Sequence, residues 1–151
     1  MKNIRKIHKN LKKYPFTYKD KIMKKRSYTL VTGSAGFIGY HLTCSLIKKN
    51  KHVIGIDNLN NYYSVKLKKD RIKDLEKTNK EYFIFHKVDL SNKKGIENLF
   101  KKYKITEVIN LAAQAGVRYS IKNPKDYVYS IILGFFNILE LSRCYKIKKI
   151  F

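Results

Sequence analysis

Three glycines at a regular spacing constrain the fold of this chain more than any other feature. Gly33, Gly36 and Gly39 follow the β-rich stretch 28–32 and stand where a strand would give way to a helix. By analogy with G-x-G-x-x-G, the first permits a tight turn, the second lets backbone approach a pyrophosphate, and the third lets helix pack on strand. Unpaired N–H groups at the start of the helix would attract the phosphates. The pattern predicts a dinucleotide-binding turn, and an ordinary turn before a closely packed helix is the alternative.

An acidic residue at the end of a second apolar stretch supports the dinucleotide interpretation. Asp57 closes the stretch 53–57, 18 residues after Gly39, where a nucleotide fold places the acid that binds an adenosine ribose. Its carboxylate can accept hydrogen bonds from a ribose 2′-hydroxyl, whereas it would repel a 2′-phosphate. The sequence therefore predicts NAD as the cofactor in preference to NADP.

Strand and helix patterns alternate from residue 28 onward, which is typical of a parallel sheet with helices on both faces. Strands are predicted at 28–32, 53–57, 82–88, 108–112 and 148–151, and helices at about 37–50, 65–78, 93–103 and 124–145. In the first helix, the apolar residues at helical spacing are Ile38, Leu42, Leu46 and Ile47. A loop is expected at 116–123, with Pro124 early in the long helix. The predicted fold is α/β, a doubly wound parallel sheet that is truncated at strand five.

In such a sheet the ligand lies beyond the carboxyl ends of the strands, at the switch point between strands one and four. That position collects the glycine turn, Asp57, the pair Asp89 and Leu90, and the segment 111–114. For Asp89 two interpretations stay open. It either contacts the cofactor or accepts hydrogen bonds from backbone N–H groups at the start of the next helix.

Positive charge dominates the composition. The formal net charge of +23 would ordinarily indicate a nucleic-acid or anionic-membrane partner. However, lysine outnumbers arginine 29 to 5, although planar phosphate recognition favours arginine. Lys, Asn, Ile and Tyr together make up 71 of the 151 residues, and their codons are A/T-rich, so genome composition explains most of the charge. Nucleic-acid binding is therefore not the predicted main function.

The cysteine content and the hydropathy of the sequence indicate in which cellular compartment the protein is expected. Cys44 and Cys144 are far apart and form no C-x-x-C pair, so neither a disulfide scaffold nor a metal site is predicted. No apolar run approaches the roughly 20 residues that span a bilayer, and the N-terminus lacks the apolar core of a signal peptide. The sequence predicts a soluble protein of the reducing cytoplasm with no membrane partner.

The first 26 residues form a basic stretch that we expect to lie outside the folded domain. Residues 1–26 carry eleven Lys or Arg and a single acid, Asp20, with Pro15 and little apolar periodicity. Three interpretations stay open, which are a disordered extension, an upstream start with Met23 as the true first residue, and a polyanion-binding arm. The predicted domains are this basic extension at 1–26 and an incomplete NAD-binding domain at 27–151.

From residue 28 to 151 the chain resembles the extended short-chain dehydrogenase/reductase family of NAD-dependent epimerases and dehydratases. Within that family it is most similar to the UDP-glucuronate 4-epimerases. Three segments carry the resemblance: TGSAGFIG at 32–39, GIDNLNNYY at 55–63 and LAAQAGVRYS at 111–120. The resemblance implies a Rossmann fold and an epimerase cycle, in which bound NAD takes hydride from C4 of a UDP-linked sugar and returns it to the opposite face of a 4-keto intermediate.

The resemblance also implies roles for individual residues. The pyrophosphate would be held by Gly33, Gly36, Phe37, Ile38 and Gly39, the adenosine ribose by Asp57 and Asn58, and the adenine by Asp89 and Leu90. The nicotinamide side would be lined by Leu111, Ala112 and Ala113, and the substrate would approach Gln114 and Arg118. A solvated loop arginine is the alternative for Arg118.

The sequence departs from the family pattern in ways that put catalysis in doubt. Asn110 stands where a histidine is expected, and Ile131 where a cofactor-contacting asparagine is expected. The catalytic Tyr-x-x-x-Lys pair and its Ser or Thr helper are expected beyond residue 151. Two chance-level matches occur, Tyr62 with Lys66 and Tyr145 with Lys149. We therefore assign no catalytic residue and expect the fragment to be inactive alone.

Three functional hypotheses follow. The leading one is the NAD-binding portion of a UDP-glucuronate 4-epimerase-like enzyme, with a UDP-sugar as the substrate of the full-length family and an interrupted gene as one origin. The second is a non-catalytic NAD-binding or docking module that pairs with a separate chain carrying the missing half. The third, less favoured, is a nucleic-acid or polyanion binder that uses residues 1–26.

Overall fold

Five strands and their helices follow one another as the alternating pattern predicts, in a computed structural model that describes residues 25–78 and 80–151. The basic extension predicted at 1–26 lies outside these residues, except for its last two. In chain order the elements are β1 (Ser27–Thr32), α1 (Phe37–Lys48), β2 (His52–Asp57), α2 (Val65–Thr78), β3 (Phe83–Lys87), α3 (Lys93–Lys102), β4 (Lys104–Asn110), α4 (Val117–Lys122), α5 (Pro124–Tyr127), a π-helical segment (Val128–Leu133), α6 (Gly134–Cys144) and β5 (Lys149–Ile150).

The five strands form one parallel sheet in the order β3-β2-β1-β4-β5. β1 occupies the centre, and all of its residues after Ser27 are buried, as are all residues of β2 after His52. Central parallel strands are buried on both faces, so they consist of continuous apolar runs. The predicted doubly wound α/β fold is confirmed.

Successive side chains of the central strands point to opposite faces of the sheet and so contribute to two apolar clusters. On one face, Leu30 packs with Ile96 of α3 and Ile138 of α6. On the other, Val31 packs with Ile47 of α1 and Leu75 of α2. Helices therefore cover both faces, which leaves the carboxyl edge of the sheet open for a ligand.

The fourth strand is displaced from its predicted position. The prediction was 108–112, whereas β4 begins four residues earlier, at Lys104, and ends at Asn110. The N–H groups of Leu111 and Ala112 donate to the side-chain hydroxyl of Thr32, at 3.0 Å each, instead of to a backbone carbonyl of a neighbouring strand. A contact with β1 therefore turns the chain out of the sheet at this point.

The helical region after β4 also differs in part from the prediction. The loop predicted at 116–123 contains the short helix α4, none of whose residues is buried. The long helix predicted from Pro124 does form, and the residues that join α5, the π-helical segment and α6 keep helical dihedral angles. Pro124 takes the first-turn position that its fixed φ favours.

Helix α1 turns a different face to the sheet than its apolar pattern indicates. Its buried residues are Gly39, Thr43 and Ile47, whereas Ile38 is 66% exposed. Because Gly39 has no side chain, the start of the helix lies close to the backbone of Gly33 and Ser34. The predicted face is therefore wrong for Ile38 and right for Ile47.

Candidate functional site

The carboxyl ends of four strands surround a cleft of about 400 Å³. Parallel strands end at the same edge of a sheet, so residues distant in sequence meet there. Ten of the predicted site residues line this cleft: Gly33, Gly36, Asp57, Asn58, Asp89, Leu90, Leu111, Ala112, Ala113 and Gln114. The structure thus brings together most of the residues that the sequence pattern selects.

The glycine turn between β1 and α1 allows backbone to approach backbone. Gly33 has a φ of 67°, and a Cβ there would lie 2.9 Å from the backbone nitrogen of Ala112. A Cβ on Gly39 would lie 2.1 Å from the carbonyl oxygen of Gly33. Since α1 has no side-chain cap and no acid in its first turn, its leading N–H groups stay available to an anion.

Three predicted pyrophosphate residues do not line the cleft with their side chains. The side chains of Phe37 and Ile38 are each 66% exposed, and Gly39 is buried beneath Gly33. Phe37 and Ile38 could therefore contact a phosphate only through their backbone N–H groups. Gly39 serves the packing of α1 against the turn.

The carboxylate of Asp57 joins the glycine turn to the loop after β2. Its Oδ2 accepts a hydrogen bond from the N–H of Ala35 at 3.2 Å, and its Oδ1 accepts one from the N–H of Leu59 at 2.8 Å. Each carboxylate oxygen has two lone pairs, so both can accept a further hydrogen bond. Asp57 can therefore hold the loops and still receive hydroxyl donors from the cleft.

Asp89 faces the cleft and is fixed by polar partners from two loops. Its Oδ2 accepts from Asn58 Nδ2 at 2.8 Å, and its Oδ1 accepts from the N–H and the hydroxyl of Ser91 at 2.8 and 2.6 Å. Burial alone would raise the pKa of Asp89, but these hydrogen bonds outweigh it and hold the pKa below its ordinary value. The N-cap of α3 is Asn92, which accepts from the N–H of Gly95, so Asp89 is not the capping residue.

The backbone next to Asp89 is tied to the long helical run. Asn137 of α6 is 2% exposed, and its Nδ2 donates to the carbonyl oxygen of Leu90 at 2.8 Å. A buried amide that donates to a buried carbonyl satisfies both groups at once. Leu90 is held in the cleft wall by this contact, which the sequence pattern did not reveal.

Thr32 and Asn110 organise the end of β4. Thr32 Oγ1 donates to Asn110 Oδ1 at 2.7 Å while it accepts from the N–H groups of Leu111 and Ala112. Asn110, which stands in place of the expected histidine, thus has a partner of its own. Ile131, the second departure, is 43% exposed and lies outside the cleft lining. The weaker cofactor use expected from these two residues stays a prediction.

A buried lysine is the clearest site residue that the sequence reasoning missed. Lys68 of α2 lines the cleft and is 4% exposed. Its burial lowers its pKa below the ordinary value for lysine, while the nearby charge of Asp57 opposes the shift. Lys68, Ile72 and Leu75 are the buried residues of α2. The helical spacing of Lys68 from the two apolar residues could have revealed it.

Aromatic side chains and an arginine from the same region enclose the glycine turn. Tyr63 lies over Lys68, whose Nζ is 4.3 Å from the ring centroid. Arg71 donates to the carbonyl oxygen of Ala35 at 3.1 Å. Tyr62 and Tyr129 also line the cleft, and neither was selected from the sequence.

The two residues predicted to meet substrate occupy different environments. Gln114 is buried in the cleft wall, where its Oε1 accepts from Asn60 Nδ2 at 3.2 Å and its Nε2 donates to the carbonyl oxygen of Ala115 at 3.2 Å. Arg118 lies on the exposed helix α4, outside the cleft lining. Their roles toward a substrate stay predictions.

The two Tyr-x-x-x-Lys matches do not form tyrosine–lysine pairs in the structure. Lys66 Nζ binds Asp70 at 2.8 Å on the surface of α2, whereas Tyr62 lines the cleft. Tyr145 packs against the ring of Phe100, and Lys149 lies in β5. Within residues 25–78 and 80–151, no group of three metal-ligating side chains occurs, and no helix is long and apolar enough to cross a membrane.

The sequence of this chain is similar to those of several known proteins. A family model described as GDP-mannose 4,6 dehydratase matches residues 30–151. Protein CapI of Staphylococcus aureus is 52% identical over 121 residues, which are 80% of this chain and 35% of that protein. A UDP-glucuronate 4-epimerase of Thermodesulfobacterium geofontis is 46% identical over 123 residues, which are 82% of this chain and 38% of that protein.

The fold of this chain is also similar to those of solved UDP-sugar 4-epimerase structures. The UDP-glucuronic acid 4-epimerase of Bacillus cereus, in complex with UDP-glucuronic acid and NAD, superposes with a TM-score of 0.73 at 36% identity and covers 82% of this chain and 38% of that one. The UDP-glucose 4-epimerase of Thermus thermophilus, in complex with NAD, has a TM-score of 0.69 at 32% identity, with coverages of 82% and 36%. The chain thus spans a little over a third of the length of these proteins. The resemblance drawn from the sequence is confirmed.

Proposed function

Because this chain belongs to the GDP-mannose 4,6 dehydratase family, we propose that its cleft binds NAD and forms the cofactor side of a UDP-sugar 4-epimerase. The substrate class that we propose is UDP-glucuronate, after the relatives with that name. One observation carries the proposal most strongly. Residues at the ends of β1 to β4, selected from the sequence as NAD contacts, line a single cleft.

The groups present in the cleft fit a dinucleotide. The approach of Gly33 to Ala112 leaves no room for a side chain at the centre of the turn, so a pyrophosphate could reach backbone N–H groups. Asp57 retains lone pairs for two ribose hydroxyls. Both features suit NAD, and the second disfavours the 2′-phosphate of NADP.

In this proposal each part of the cleft performs one physical task. The N–H groups at the start of α1 would bind the pyrophosphate, and Gly33 and Gly36 would leave room for it. Asp57 and Asn58 bind the adenosine ribose, and Asp89 and Leu90 flank the adenine. Leu111, Ala112 and Ala113 orient the nicotinamide and exclude water from that face. When bound, NAD supplies the hydride acceptor and donor that the side chains of this chain lack.

Asp57 provides the direct test. We expect calorimetry to show that the wild-type chain binds NAD more tightly than NADP, and that Asp57→Asn weakens NAD binding about tenfold, because a charge-assisted hydrogen bond contributes about 1.5 to 3 kcal/mol. Asp70→Asn, on the exposed face of α2, is the matched control and should bind as wild type. Equal affinity of the wild type for NAD and NADP would contradict the proposal.

Asp57 also holds the N–H groups of Ala35 and Leu59, so its replacement could disturb the fold. Melting temperatures of the variant and the wild type must therefore be compared first. If Asp57→Asn is unfolded, the NAD to NADP ratio of the wild-type chain alone decides, because that ratio needs no variant.

A second candidate is a non-catalytic NAD-binding module that docks on a separate chain. The exposed apolar side chains of α4, the π-helical segment and α6 favour it, since exposed apolar surface marks interaction sites. Turnover by the chain alone, in an assay with NAD and UDP-glucuronate that is followed by NMR, would exclude this module. The proposal includes a cytoplasmic location, which the free thiols of Cys44 and Cys144 favour.

A further inference from the structure

Lys68 is a buried charge whose contacts the proposed roles do not explain. Its side chain is 4% exposed, and its Nζ donates to two acceptors of one residue, the carbonyl oxygen of Asn60 at 2.9 Å and Asn60 Oδ1 at 2.7 Å. No acid in the described part of the chain forms an ion pair with it. Burial of an ammonium group is unfavourable unless it is hydrogen-bonded, so these two bonds with Asn60 stabilise Lys68 together with the ring of Tyr63.

The hydrogen bonds continue from Asn60 to the other wall of the cleft. Asn60 Nδ2 donates to Gln114 Oε1 at 3.2 Å, and Gln114 Nε2 donates to the carbonyl oxygen of Ala115 at 3.2 Å. Asn60 follows β2 and Gln114 follows β4, and these two strands are separated in the sheet by β1. We name these three side chains, Lys68, Asn60 and Gln114, the polar bridge, because they connect α2 to the loop after β4 past the end of β1.

The lysine sets the direction of every bond in the polar bridge. An ammonium group only donates, so it requires Asn60 to present its Oδ1. The Nδ2 of the same amide must then point away, toward Gln114, whose Oε1 accepts and whose Nε2 is left to donate to Ala115. A charged donor also polarises the amide and strengthens its donation. Loss of Lys68 would free both amides to rotate.

We propose that Lys68 is a positioning residue of the cofactor cleft. Through Asn60 it fixes the loop after β2 against Gln114 and so sets the width of the cleft across which the dinucleotide lies. The proposal rests on the proposed function, because it assigns Lys68 a part in NAD binding. It also gives Gln114 a place in the cleft wall that is independent of any contact with substrate.

The test compares Lys68→Met with Lys66→Met, a control on the exposed face of the same helix. We expect Lys68→Met to weaken NAD binding, measured by calorimetry, by roughly three- to thirtyfold, the range of a hydrogen bond network that loses its charged donor. Lys66→Met should bind NAD as wild type does. In the unliganded protein, the side-chain amide resonances of Asn60 and Gln114 should shift in Lys68→Met and not in Lys66→Met.

A double-mutant cycle with Asn60→Ala separates positioning from direct contact. If Lys68 acts through Asn60, Lys68→Met has no further effect on NAD affinity once Asn60 is replaced. Additive effects would overturn the proposal, because they would mean that Lys68 meets the ligand itself. Wild-type affinity in Lys68→Met would overturn it as well.

The failure of the proposed function has a different signature. If the wild-type chain does not bind NAD, the proposed function is wrong, and the amide resonances of the unliganded protein then decide the positioning role alone. Unchanged resonances of Asn60 and Gln114 in Lys68→Met would overturn it. If Lys68→Met does not fold, Lys68→Gln, which loses the charge and keeps a donor, replaces it in every comparison.

Discussion

The side chains of the loops that line the cleft differ in kind from those of the helical run from α4 to α6. The former are polar and hydrogen-bonded, whereas many of the latter are apolar and exposed. In the loops, Asp57, Asn58 and Asp89 are polar residues whose hydrogen bonds go to backbone, to each other or to the Ser91 hydroxyl. In the helical run, large apolar side chains such as Ile121, Ile132 and Phe136 remain exposed.

The difference indicates which region determines the geometry of the site. Directional hydrogen bonds and close backbone contacts fix the loops, so a change of one atom there has no room to relax. The outer face of the helical run has few constraints of this kind, because its exposed side chains can rearrange. We therefore expect the largest effects of substitution in the glycine turn and the smallest on the outer face of α6.

Within these two regions, the largest effect is expected at Gly39. In Gly39→Ala the new methyl carbon would lie 2.1 Å from the carbonyl oxygen of Gly33, so α1 must move away from the turn. Urea unfolding should show a loss of about 3 kcal/mol, at the upper end of overpacking effects, together with loss of NAD binding. Ser45→Ala, at an exposed position of α1, should leave stability unchanged. Wild-type stability of Gly39→Ala would mean that the turn is not tightly packed.

The same contrast explains how much of the fold could be predicted from the sequence. β1, β2 and β3 were placed within one residue at each end, because apolar runs ended by glycine or aspartate carry their own boundaries. The end of β4 was misplaced, because the hydroxyl of Thr32 takes the N–H groups of Leu111 and Ala112. Thr32 and Ala112 are 80 residues apart in sequence. A pattern of neighbouring residues cannot predict a hydrogen bond between groups so far apart.

For the site, strand-end residues could be predicted and their partners could not. Gly33, Asp57 and Asp89 were found because a parallel sheet brings strand ends together. Lys68 was missed because a lysine on a helix is normally solvated, and only its spacing from Ile72 and Leu75 indicates burial. Asn137 contacts Leu90 from an element that is remote in sequence. Such contacts depend on how α2 and α6 pack, which follows from the whole fold.

An intermediate effect is expected at Asn137, where the two regions are joined. In Asn137→Ala the carbonyl oxygen of Leu90 loses its 2.8 Å donor in a buried setting. A buried acceptor without a partner costs about 1 to 3 kcal/mol, which urea unfolding would measure. NAD affinity should fall as well, because Leu90 would be free to move in the cleft wall.

Ser142→Ala is the matched control for Asn137→Ala. Ser142 is another buried polar residue of α6, and its hydroxyl has no hydrogen-bond partner among the residues that the structure describes. Its removal should be nearly neutral, because no partner is left behind. Equal losses in the two variants would show that the Asn137 contact does not join the regions.

The smallest effect on stability is expected at Phe136, on the outer face of α6. Its side chain is 56% exposed, so Phe136→Ser should change the free energy of unfolding by no more than about 0.5 kcal/mol. Phe100→Ser, at a buried position of α3, is the contrasting variant and should lose about 3 kcal/mol or more. Similar losses at the two positions would show that the outer face of α6 is packed as tightly as the core, contrary to the comparison.

The same variant tests what the exposed apolar face does in solution. A net charge of +23 opposes self-association, and salt screens that repulsion over about 8 Å at physiological ionic strength. Light scattering should therefore show dispersed wild-type protein at low salt and association as salt is raised, because contiguous exposed apolar surface then meets little resistance. Phe136→Ser should shift the onset to higher salt, since it removes one large apolar side chain from that face. A wild-type chain that stays monomeric at high salt would show that the exposed apolar face does not drive association. The loops and the helical run would then differ only in how rigidly their side chains are held.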